Sequence, residues 1–313
     1  MKILIAEKVS PATLKVLREE PDFEVITHEQ MGDLMTAVRD ADALVVRSAI
    51  DVNAKLIDAA ARLRVIGRAG VGVDNIDCAA AARKGIIVMN TPGANAVAVA
   101  EHTLGLMLSL ARFIPRADQS TRAGKWEKKS LQGTELRGKT LGIIGLGRTG
   151  REVARRAKAF GMKVLACDPH AAQEVVHELG IELTTLDALY AASDYISLHV
   201  GLTPKTLGMI NAGAIAKMKK GVKIVNCARG ELIDDAALVA ALNSGHVGGV
   251  AVDVYSQEPP KENPLLTAPN VIATPHIAGS TNEAQEMVGV QIAQQVKEYL
   301  KNGVIHNAVK ATA

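Results

Sequence analysis

The segment Leu141-Gly-Ile-Ile-Gly145-Leu-Gly147-Arg-Thr-Gly150 constrains this chain more than any other. An apolar run enters a G-x-G-x-x-G loop, Arg151 to Phe160 reads as a helix, and Asp168 follows Gly150 by eighteen residues at the end of the next apolar run. Each part has a role in holding a dinucleotide. Gly145 makes the tight turn, Gly147 lets the backbone approach a pyrophosphate, and Gly150 lets helix pack on strand, with the helix N-terminus facing the phosphates. Asp168 is placed to accept hydrogen bonds from the adenosine ribose. It favours NAD, because an aspartate repels a 2′-phosphate and no arginine follows in Asp168-Pro169-His170. Strand, helix and spaced acid together outweigh the alternatives, glycines kept for packing and a turn-capping aspartate.

The chain has 313 residues, enough for two domains. Around the glycine loop, strands are predicted at 141–144, 163–167, 195–199, 223–227, 249–254 and 271–273, an open doubly wound sheet. An earlier series, 3–6, 43–47, 65–67 and 86–89, with a helix over 11–19, predicts a second parallel sheet. Residues 96–114 read as one long buried helix between the two. The last apolar helix, about 282–301, has no strand after it and is expected to return to the first domain. The expected architecture is α/β: a dinucleotide-binding Rossmann domain, 96–285, inserted in a discontinuous flavodoxin-like substrate domain, 1–95 and 286–313.

Composition excludes several classes. Aromatics are 3%, too few for stacking platforms that bind single-stranded nucleic acid. Net charge is +3, which argues against nucleic-acid and anionic-membrane partners. Cys78, Cys167 and Cys227 form no C-x-x-C pair, so a structural zinc or disulfide scaffold is not expected, and a cytoplasmic location fits. The N-terminal apolar run is too short for a signal peptide, and 96–114 carries Glu101, His102 and Arg112, which suits a buried helix rather than a membrane span. No histidine or carboxylate cluster suggests a metal.

Two further glycine motifs need separating from the first. Gly133-Thr-Glu-Leu-Arg-Gly138-Lys139-Thr140 matches a P-loop pattern but precedes a strand instead of following one, so its amides do not point at phosphate. Gly67-Arg68-Ala-Gly70-Val71-Gly72 lacks the third glycine, since Asn75 stands there. It remains either a tight turn or a nest of amides able to hold a carboxylate.

Three polar residues follow apolar strands, where open α/β sheets bind ligands: Arg229, Glu258 and His276. An arginine fork suits a carboxylate, a histidine can take a hydroxyl proton, and a carboxylate beside a histidine favours imidazolium. Spacing alone leaves an equal alternative: a surface arginine, a loop glutamate before Pro259 and a helix-capping histidine. His102 reads as a packed or hinge residue, and His199 as a strand-end residue close to a cofactor.

These motifs together resemble the D-isomer-specific 2-hydroxyacid dehydrogenase family over nearly the whole chain. The matching segments are VRSA at 46–49, GRAGVGVDNID at 67–77, NTPGANAVAVAEH at 90–102, GKWEKKSLQGTEL at 124–136, GLGRTG at 145–150, NCARGELID at 226–234, AVDVYSQEPP at 251–260 and TPHIAGST at 274–281. VRSA and GKWEKKSLQGTEL are similar to members that act on phosphoglycerate. The resemblance implies NAD-dependent oxidation of 3-phospho-D-glycerate to 3-phosphohydroxypyruvate, the first step of L-serine synthesis, with Arg229, Glu258 and His276 catalytic. It implies Arg148 and Thr149 at the pyrophosphate, with Val200, Cys227, Ala228, Arg229 and Asp253 near nicotinamide. His276, Ile277, Ala278 and Gly279 close the site, and Val71 adds a backbone contact. For substrate it implies Arg47, Arg68 and the amides of Gly70, Val71 and Gly72, with Lys128 or Lys129 reaching a neighbouring subunit's substrate phosphate. Lys128 stands where the motif often has arginine, which keeps the charge and loses the bidentate fork. A homodimer or homotetramer is expected. Many relatives continue into serine-sensing domains, and the chain's end at Ala313 suggests a short form or a cut. The competing readings are a glyoxylate or hydroxypyruvate reductase, and a dinucleotide-sensing corepressor of the C-terminal-binding type.

Overall fold

The computed structural model describes residues 1–309, which divide into two compact units, Met1–Asn95 with the chain from Gly279 on, and Ala96–Ala278. In the first unit β1 (Lys2–Ile5), β2 (Glu24–Thr27), β3 (Ala43–Val46), β4 (Val65–Arg68) and β5 (Ile87–Met89) form an all-parallel sheet in the order β2-β1-β3-β4-β5. The central strands β1 and β3 are almost wholly buried, which is why they read as unbroken apolar runs. The helix Pro11–Arg18 begins with Ser10 as cap, whose Oγ accepts from the Thr13 amide at 3.2 Å, and with proline in the first turn.

The second unit holds β6 (Thr140–Ile144), β7 (Lys163–Cys167), β8 (Glu182–Leu183), β9 (Tyr195–Leu198), β10 (Val222–Asn226), β11 (Val247–Val252) and β12 (Val271–Ala273). All pairings are parallel and the order is β12-β11-β10-β9-β6-β7-β8, the doubly wound order with its reversal between β6 and β9. The expected fold class holds in both units. Two strands escaped the sequence reading. Both lie at a sheet edge, β2 with half-exposed residues and β8 with only two, too short for a pattern.

The long helix expected over 96–114 ends at Arg112. Phe113 takes a left-handed φ of 54°, and a second helix runs over Ile114–Arg122. Pro115 explains the break, since it has no amide to give the carbonyl four residues back. That carbonyl, on Ala111, accepts instead from the Thr134 amide at 2.9 Å.

The chain re-enters the first unit at Gly279, not at 286. The helix Asn282–Asn302 accounts for the difference, because its first turns are already packed there. Ala284 and Val288 are buried, and a Cβ on Gly289 would meet Thr13 Oγ1. Further along, Ile292 and Val296 press on β4 at Gly67, where an added Cβ would lie 2.8 Å from each side chain. Gly67→Ala should therefore overpack this seam and cost about 1–3 kcal/mol, read as a lower urea midpoint with an unchanged slope.

Candidate active site

The loop after β6 has the geometry its glycines require. Gly145 has φ +95°, and a Cβ there would come within 2.5 Å of the His199 carbonyl. A Cβ on Gly150 would sit 2.1 Å from the Gly145 carbonyl, so only glycine lets this helix close on its loop. Gly147 has open space over its missing side chain and caps the helix Arg148–Ala159. Arg148 is exposed and Thr149 half-buried at that helix start. Asp168, at the end of β7, accepts from the Leu146 amide at 2.7 Å and from the His170 amide at 2.8 Å, which ties it to the glycine loop. A bare glycine face at a helix N-terminus, with a carboxylate fixed one strand away, fits a dinucleotide.

Val200 and His199 follow β9, across the reversal from Gly145. Burial depresses His199 to about 4, and its Nε2 lies 2.8 Å from Ser197 Oγ. It is neutral at physiological pH and adds no positive charge for phosphates.

Arg229, Glu258 and His276 follow β10, β11 and β12, three adjacent strands. Asn226, buried at the end of β10, shapes the first turn. Its Nδ2 donates to the Arg229 carbonyl at 2.7 Å and its Oδ1 accepts from the Ala228 amide at 3.0 Å. Arg229 Nη1 donates to the Ala228 carbonyl at 2.6 Å. A Cβ on Gly230 would strike the Tyr255 backbone, so this turn lies directly on the segment leading to Glu258. Glu258 accepts from the Tyr255 amide through Oε1 at 3.1 Å, while His276 Nδ1 donates to Oε2 at 2.6 Å. The pairing assigns the histidine tautomer: with Nδ1 carrying the proton, Nε2 is the basic nitrogen. His276 is also in the left-handed region, φ 53°, unusual for a residue with a side chain.

That conformation is held from below by Asp253, whose carboxylate is buried and turned into its own loop. Thr274 Oγ1 donates to Oδ1 at 2.6 Å, the Ile277 amide donates to Oδ1 at 2.9 Å, and the Ala278 amide donates to Oδ2 at 2.8 Å. His102 Nε2 donates to Thr274 Oγ1 at 3.1 Å and stands 3.5 Å from Asp253 Oδ1. Burial pushes the Asp253 carboxyl up, but hydrogen bonds from His102, Thr274 and the two amides outweigh it and leave the group below its ordinary value. Cys227 is likewise a packing group, its thiol pushed up to about 12 by burial, with the nearby Asp253 charge adding and Thr103 opposing. Ala278 is buried, Ile277 is exposed, and Gly279 belongs to the first unit.

In the first unit, Arg47 follows β3 and Arg68 ends β4. The Arg68 guanidinium folds over Gly70, where a Cβ would lie 1.7 Å from Nη1. The Gly70 amide donates to the Arg68 carbonyl at 2.9 Å, so it is not available to a carboxylate, contrary to expectation. The amides of Val71 and Gly72 donate to no other group among the described residues. The loop's carbonyls are held away by Asn90 Nδ2 on Val71 at 2.6 Å and by the Thr91 amide on Gly70 at 3.0 Å. Lys128 and Lys129 are exposed on a turn of the second unit. Gly138-Lys139-Thr140 leads into β6, away from any helix start. Among the described residues no cluster of three or more His, Cys, Asp or Glu could hold a metal ion. No single helix there is long and apolar enough to cross a membrane.

Residues 104–278 match the family described as D-isomer specific 2-hydroxyacid dehydrogenase, NAD binding domain. The chain is 49% identical over 310 residues to D-3-phosphoglycerate dehydrogenase of Methanocaldococcus jannaschii, covering 99% of this chain and 59% of that one. It is 45% identical over 314 residues to the human protein of the same name, covering 100% of this chain and 59% of that one. It thus spans less than two thirds of the length of these relatives. Among solved structures, D-lactate dehydrogenase from Aquifex aeolicus complexed with NAD and lactic acid superposes with a TM-score of 0.84, at 29% identity and 100% coverage of both chains.

Because the folded Asp253 carboxyl is lowered, its contribution to stability is complete above its unfolded value of about 3.9 and is lost as pH falls through the folded value. Asp253→Asn should therefore lower the melting temperature at pH 7, by the equivalent of about 1.5–3 kcal/mol. The gap to wild type should close below the carboxylate range, as followed by thermal unfolding across a pH series.

Proposed function

The chain belongs to the D-isomer-specific 2-hydroxyacid dehydrogenase family, and within it we propose that it oxidises 3-phospho-D-glycerate to 3-phosphohydroxypyruvate with NAD, at the entry to L-serine synthesis. The observation that carries the reaction type is the 2.6 Å pairing of His276 Nδ1 with Glu258, which leaves Nε2 as a base at the strand ends. The phosphorylated substrate is supported by the names of the relatives at 45–49% identity. The same names favour this reading over a glyoxylate or hydroxypyruvate reductase and over a corepressor.

His276 Nε2 takes the proton of the C2 hydroxyl, and Glu258 holds the imidazole ring in line and balances the imidazolium that results. NAD, when bound, supplies the acceptor for the hydride leaving C2. Arg229 grips the substrate carboxylate and the developing carbonyl oxygen. Asp253 keeps the His276 turn in place. Gly145, Gly147 and Gly150, with Arg148 and Thr149, hold the pyrophosphate, and Asp168 holds the ribose and disfavours a 2′-phosphate. The amides of Val71 and Gly72 serve the substrate carboxylate. Arg47 serves the phosphate, with Arg68, and with Lys128 or Lys129 from a second copy. Self-association through Ala96–Arg112 and the segment after it is supported by the exposure of Val97 and Trp126, the latter 83% exposed. Three unpaired cysteines support a cytoplasmic setting.

His276→Ala should cut turnover about 10²–10⁴-fold while NAD affinity stays near wild type, with NADH absorbance and a binding titration as the two readouts. Near-normal turnover would remove His276 from proton transfer. Arg47→Ala should raise KM for 3-phosphoglycerate about ten- to a hundredfold, the equivalent of a charge-assisted contact. With unphosphorylated D-glycerate the same change should matter far less, and equal losses would assign Arg47 to structure or to the carboxylate.

A further inference from the structure

We propose that Glu7 and Asn75 are positioning residues that aim Arg47, and through it set the preference for a phosphorylated hydroxy acid; this rests on the reading of Arg47 as phosphate anchor. In the first sheet the strand order reverses between β1 and β3, so the residues just past their C-terminal ends face the crevice where such sheets bind ligands. Glu7 stands two residues past β1 and Arg47 one past β3.

The Glu7 side chain crosses that crevice and collects the backbone of the Arg47–Ile50 turn. Oε1 accepts from the Arg47 amide at 2.7 Å and from the Ile50 amide at 3.3 Å, and Oε2 accepts from the Ala49 amide at 3.2 Å. Three amides on one ionised carboxylate are charge-assisted bonds, stronger than neutral ones. The opposite side of the turn is held by Asn75. Its Nδ2 donates to the carbonyls of Arg47 at 2.8 Å and Ile50 at 2.6 Å. The turn is thus gripped by its amides on one side and its carbonyls on the other.

Two consequences point to specificity rather than to a plain loop staple. Glu7 spends its charge on amides, and among the described residues no carboxylate forms an ion pair with Arg47, whose Nη1 leans on the Lys8 carbonyl at 3.2 Å. The guanidinium keeps its charge for an anion. Asn75 also lies three residues beyond Gly72, so one side chain couples the phosphate anchor to the loop assigned to the substrate carboxylate. The spacing between those two anchors is what distinguishes a phosphorylated three-carbon acid from a shorter one. In the sequence Asn75 registered only as an absent glycine.

The test is steady-state kinetics of Glu7→Gln and Asn75→Asp with 3-phosphoglycerate and D-glycerate, each alone and combined with Arg47→Ala. Each single change should raise KM for 3-phosphoglycerate about tenfold, leave kcat within about twofold, and shift KM for D-glycerate less than about twofold. Neither should add to the loss already caused by Arg47→Ala, because a positioning residue has nothing left to position. Equal losses on both substrates, or full additivity with Arg47→Ala, would make these residues structural and overturn the proposal. If Arg47→Ala alone fails to distinguish the substrates, the phosphate anchor itself is wrong and the proposal falls with it. Should Glu7→Gln not fold, Asn75→Asp decides the question alone.

Discussion

The Asp253 carboxylate accepts three hydrogen bonds from a turn in which His276 is held at φ 53°, and the position of the base follows from that. The left-handed backbone aims the imidazole at Glu258, and its cost is met by charge-assisted bonds in a buried setting, where they are strongest. His102, from a helix 172 residues earlier in the chain, completes the shell through Thr274. The pair that would move a proton is thus exposed, while the group that orients it is sealed beneath. An exposed imidazole can meet substrate, and a buried carboxylate cannot swing away.

The same device recurs through the molecule. Asp168 holds the Leu146 amide of the glycine loop, Asp194 holds the Thr140 amide at the start of β6, and Glu7 holds the turn that carries Arg47. In each case an acid borrows an amide from a neighbouring strand's connection. Loops at the ends of parallel strands have amides with no ladder partner, and a carboxylate satisfies them more strongly than water does.

How much of this was legible depended on the range of the interaction. The G-x-G-x-x-G loop could be read because its requirements are local: Gly145 and Gly150 meet each other five residues apart. Buried strands could be read from their apolar runs. Asp253, Glu7 and Asn75 could not be assigned by the same reasoning, since a polar residue after a strand looks alike whether it faces solvent or captures a loop tens of residues away. The break at Phe113 did carry a signal, Pro115, but the apolar run across it masked the signal. The boundary expected at 286 falls inside the final helix, whose small residues Ala284 and Gly289 already pack on the first unit.

The seating of Ile292 and Val296 on Gly67 has a consequence for how the chain is made. β4 is flanked on both sides in its sheet and receives part of its cover from a helix more than two hundred residues later in the sequence. During synthesis the 96–278 unit has all its strands and helices once residue 278 is out, and it can fold as a unit while the chain is still growing. The strands β1 to β5, by contrast, wait with one apolar face open until the helix Asn282–Asn302 leaves the ribosome. They therefore become native after the unit that follows them in sequence, and the face around Gly67 is the surface a nascent-chain chaperone would meet.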